Sequence, residues 1–98
     1  MGIIKIINLN LIENSLEEIV GLSFQTKLFQ EQYEIIMRQI KINKSSFSSG
    51  DISKDVYSKN KNILENERDK LTKKINETTE KIQKINNNIQ RTIKENRV

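Results

Sequence analysis

The side chains in this sequence with catalytic potential are its carboxylates and its two tyrosines, and what they can do depends on what accompanies them. Glu17, Glu18, Glu31 and Glu34 are placed on helix surfaces, where a carboxylate can act as an acid, a base or a metal ligand. Each of those roles needs a complementary group, and the chain contains no His and no Cys to supply one. No glycine-rich phosphate loop is present. Tyr33 and Tyr57 read as core-edge residues whose hydroxyls reach water. The Asn86-Asn87-Asn88 run reads as composition bias. The sequence predicts a non-enzyme with no metal and no cofactor.

Charge suggests a different chemistry. Acidic and basic residues balance as far as residue 80, so the net charge of +4 lies in residues 81–98. There Lys81, Lys84, Arg91, Lys94 and Arg97 stand against Glu95 alone. Such a helix end could contact phosphates in nucleic acid or an anionic membrane surface. It has no aromatic residue to stack on bases. Cations near a helix C-terminus also answer the helix dipole, which is the plainer reading.

The elements that must position these groups are helices. With 98 residues the chain makes one small domain, which as a thin helical rod needs a partner to complete its core. No Pro occurs to break a long helix, and no Cys offers a disulfide. The opening Met1-Gly2-Ile3-Ile4-Lys5-Ile6 matches neither a secretory signal nor a myristoylation site. No apolar run approaches the roughly 20 residues that span a bilayer. A soluble, cytoplasmic protein is expected.

Residues 1–13 form an apolar arm, in which Ile7, Leu9 and Leu11 alternate as in a strand, while other spacings suit a helix. A helical hairpin then occupies 14–98, with a helix over 15–42, a loop over 43–52 and a helix over 53–97. Ser15 and Glu18 form a capping box for the first helix. Its apolar face is Leu22, Phe29, Tyr33, Ile36 and Ile40, with Leu28, Ile35 and Ile42 in a second line beside it. A face that wide suits a helix with more than one neighbour. The Ser/Gly cluster from Lys44 to Asp51 reads as the loop, and Ser53 as the cap of the second helix. From Tyr57 two seams repeat every seven residues: Tyr57, Leu64, Leu71, Thr78, Ile85 and Thr92, and Lys61, Arg68, Ile75, Ile82 and Ile89. That is coiled-coil patterning. The fold class is all-α: an antiparallel helical hairpin with a long coiled-coil-like C-terminal helix.

At 1.5 Å per residue these helices would be about 42 Å and about 66 Å long, so the second overhangs the first from Lys81 onward. The overhang carries Ile82, Ile85, Ile89 and Ile93, which must be covered by the arm or by another subunit. Leu71, Ile75, Ile82, Ile85, Ile89 and Ile93, with Ile7, Leu9 and Leu11 of the arm, are the candidate interface. The expected function is structural: a scaffold subunit that self-associates or docks into a larger assembly, with binding to nucleic acid or an anionic membrane as the alternative. Residues 47–71, and Phe47 to Tyr57 above all, resemble the helical hairpins of ESCRT-I core subunits of the Mod(r) and steadiness-box kind. That resemblance implies a hairpin packed beside those of other subunits in a membrane-remodelling complex.

Overall fold

Backbone punctuation is sparse. Past residue 2 the only glycines are Gly21 and Gly50, and a helix once begun continues until something ends it. The computed structural model describes the backbone of residues 2–95 and the side chains of residues 9–95. Two helices, α1 over Gly2–Ser48 and α2 over Lys54–Glu95, form an antiparallel hairpin with no strand among the described residues.

The bounds of the first helix and of the loop are corrected. The expected arm over 1–13 is not a separate element, because from Gly2 onward it belongs to α1, which continues through Ser15, so that Ser15 caps nothing. Ile12, Ser15, Ile19, Leu22 and Thr26 are all partly buried, stepping alternately by three and four residues. Continuing the helix through the arm keeps this seam against a neighbour, which outweighs the modest helix propensities of Asn and Ser.

The expected loop over 43–52 is mostly helix. Phe47 stacks on Tyr57 with ring centroids 4.5 Å apart, so packing holds the serine run helical. The Ser49 hydroxyl donates to the Ser45 carbonyl at 2.9 Å, satisfying itself against the helix it extends. Reversal needs only the residues after Ser48. Gly50 takes φ +82°, and its N–H donates to the Phe47 carbonyl at 3.1 Å. The Asp51 N–H donates to the Ser46 carbonyl at 2.8 Å, completing a Schellman closure. Ser53 then caps α2 as expected, accepting from the Val56 N–H at 3.2 Å, with Asp55 in the first turn.

The chain divides into two compact units, Met1–Thr26 with Asn76–Val98, and Lys27–Ile75. In the first, Ile89 is 7% exposed and Thr78 is 6% exposed, with Ile82, Ile85 and Thr92 partly buried beside them. The Thr26 and Thr78 hydroxyls share a 2.7 Å hydrogen bond. In the second, Leu71 is buried, while Tyr57, Leu64, Arg68 and Ile75 are partly buried. These are the seams expected from the seven-residue repeat. Lys61 falls on the same line and is exposed.

Candidate interaction surface

The hairpin's own seam uses the residues that the sequence suggested for an interface with another subunit. Ile82, Ile85 and Ile89 lie in the Met1–Thr26 and Asn76–Val98 unit, where α1 supplies Ile12, Ser15, Ile19 and Leu22 to the same seam. With α1 beginning at Gly2, α2 does not overhang it among the described residues, which removes the premise that put these isoleucines on a free surface. Leu71 and Ile75 serve the seam of the Lys27–Ile75 unit in the same way. Ile93 is 40% exposed, and Leu9 and Leu11 are more than half exposed. The side chain of Ile7 lies outside the described residues.

Exposed apolar side chains occur in both units, and in the first α1 also exposes Leu16, Val20 and Phe24. On α1, within the Lys27–Ile75 unit, Leu28, Ile35 and Ile42 are 58%, 45% and 63% exposed, and on α2 Ile63 is 62% exposed. Leu28, Ile35 and Ile42 are spaced by seven, so they share one side of the helix, roughly 100° around it from the seam. Gln32, Gln39 and Ser46 interleave with them, and no charged residue occupies this stripe. Charges fall on the outer face instead, at Lys27, Glu31, Arg38 and Lys41.

Two open grooves follow the stripe inside this unit. One, of about 300 Å³, is lined by Gln39, Ile42 and Ser46 of α1 and by Ile52, Asn60 and Ile63 across from them. The other, of about 400 Å³, lies between Gln32, Ile35 and Gln39 on one side and Glu67, Lys70 and Lys74 on the other. Leu71 and Leu64 contribute to the floors. A polar layer braces the first groove. Asn43, 7% exposed, donates to the Tyr57 carbonyl at 3.1 Å and accepts from Asn60 Nδ2 at 3.0 Å. Lys74 Nζ sits 5.5 Å from the Phe29 ring centroid, holding one wall of the second groove.

No family model matches the chain, and neither does any curated protein or solved structure. Among the described residues no group of acids could hold a metal ion, and no helix is long and apolar enough to cross a membrane.

The basic candidates sit in the other unit. Lys81, Lys84, Arg91 and Lys94 are exposed, and the Arg91 guanidinium donates to Asn88 Oδ1 at 3.0 Å. Arg97 lies outside the described residues. The sequence reading marked Leu28, Ile35 and Ile42 as a second line without naming them as a site. It missed Asn43, Thr26 and Ser15 as seam members, because a polar residue at a seam position is visible only once its apolar neighbours are known to belong to the seam.

Proposed function

We propose that this chain is an assembly module, a helical hairpin that holds a second protein surface through the uncharged stripe of α1 at Leu28, Ile35 and Ile42. The observation that carries this reading is the seven-residue spacing of three exposed aliphatic residues in a stripe free of charge. Solvated helix faces are normally charged, and a line of exposed aliphatic residues with only uncharged residues between them suits an interaction site. A helix laid along the stripe would bury these side chains as in coiled-coil packing. The resemblance of residues 47–71 to ESCRT-I core hairpins belongs to the same reading, since it too implies a hairpin beside other hairpins.

The test is the variant Ile35→Glu with Ile42→Glu. Both sites are exposed, so circular dichroism should show unchanged helicity. Assembly, read as mass by light scattering against a monomer of 11.5 kDa and as co-purification of any bound protein, should be lost. Unchanged mass and unchanged co-purification would remove the stripe from the interface.

A second reading is supported by the exposure of Lys81, Lys84, Arg91 and Lys94: binding to nucleic acid or an anionic membrane.

A further inference from the structure

We infer that the occupant of the α1 stripe is a second copy of this chain, packed parallel and in register, an inference that rests on the assembly reading above. Along α1 in the Lys27–Ile75 unit the stripe reads Leu28, Gln32, Ile35, Gln39, Ile42 and Ser46, in alternating steps of four and three residues. This is a coiled-coil seam in which one position is aliphatic and the other polar but uncharged.

Its order selects an orientation. When two such helices lie parallel and in register, each residue meets its own copy, so Ile35 packs on Ile35 and Gln39 on Gln39. Turning one helix round exchanges the order of the three- and four-residue steps, and every aliphatic layer would then face an amide. Parallel pairing alone separates apolar layers from polar ones.

The polar layers also identify the partner. A primary amide carries both donors and an acceptor, so Gln32 and Gln39 can each close a hydrogen bond with the same residue of a twin. A carboxylate or an ammonium group at these positions would repel its own copy. Polar residues at one seam position are a known means of setting register at some expense in stability. The two seams of α1 are roughly 100° apart, so one can stay with α2 while the other meets the twin. The contact is isologous and closes at two chains.

Because the chain has no cysteine, disulfide trapping is free of background. Leu28→Cys, Ile35→Cys and Ile42→Cys should each form a disulfide with its own copy under mild oxidation, and the outer-face control Arg38→Cys should not. Mixing differently tagged Leu28→Cys and Ile42→Cys chains should give only self-pairs. Preferential Leu28–Ile42 cross-pairs would overturn the parallel arrangement. Gln39→Glu should weaken the wild-type dimer about 100-fold or more at neutral pH, by placing like charges together, and acidification through the carboxylate range should restore it. A wild-type chain that sediments as a monomer throughout the micromolar range overturns the second copy as occupant. In that event, a different protein whose co-purification is lost in Ile35→Glu with Ile42→Glu would leave the assembly reading standing.

Discussion

Asn43 holds a position where the heptad pattern asks for an aliphatic side chain, and its amide is used at both ends, donating to the Tyr57 carbonyl and accepting from Asn60. Asn43 is buried while Asn60 is exposed, so the two bonds are partly shielded from competing water. Asn43→Ala removes both and leaves a void, so urea unfolding should show a loss of about 1–3 kcal/mol. An unchanged midpoint would mean that the layer only fills space. The Thr26–Thr78 pair should behave oppositely. Valine has nearly the shape of threonine, and replacing both members leaves neither hydroxyl in the seam without its mate. The double variant Thr26→Val with Thr78→Val should therefore unfold within about 1 kcal/mol of wild type, or above it. A loss of several kcal/mol would show that the hydroxyl layer is a net source of stability.

At the scale of the helices, two glycines make a matched test. Gly50 ends α1 at φ +82°, and a Cβ there would meet nothing within 4 Å, so the difficulty of substitution is purely conformational. Gly50→Ala should cost about 1–2 kcal/mol, and Gly50→Asn less. Gly21 lies inside α1, exposed, again with nothing within 4 Å of an added Cβ. Gly21→Ala should stabilise by about 0.5–1 kcal/mol, since it removes freedom from the unfolded chain and meets no clash. Thermal melts of the two variants should move in opposite directions, and a shared direction would contradict the assigned backbone conformations. The same helices show why the fold was only partly legible. In α2 the aliphatic residues from Leu64 to Ile89 sit at strict seven-residue steps against polar surroundings, and the seam was plain. In α1 the seam passes through Ser15, Thr26 and Asn43, while Leu28, Ile35 and Ile42 compete from outside it. A periodicity reading sees a wide face there and cannot tell the inner line from the outer one. The serines after Lys44 read as loop residues, because the Phe47–Tyr57 stack that keeps them helical is a tertiary contact.

For the molecule as a whole, the unequal distribution of charge remains, with the net +4 confined to residues 81–98. The assembly reading gives this segment no binding role. Lys81, Lys84, Arg91 and Lys94 are exposed, and exposed charges contribute little to stability. Replacing all four by Gln should therefore leave helicity, melting temperature and assembly mass close to those of the wild-type chain. Membrane or nucleic-acid binding predicts something different. Phosphate contacts release condensed counterions, so affinity falls steeply as salt rises, and contact with an anionic membrane is screened by the same salt. The measurement is co-sedimentation of the wild-type and substituted chains with phosphatidylserine vesicles and, separately, with duplex DNA, from low to physiological salt. Under the assembly reading, wild-type binding to both is weak at physiological salt, whatever small attraction appears at low salt. Retention by either at physiological salt, abolished in the four-fold Gln variant while its assembly mass is unchanged, would make the basic end the functional surface and reduce the α1 stripe to a contact that supports it.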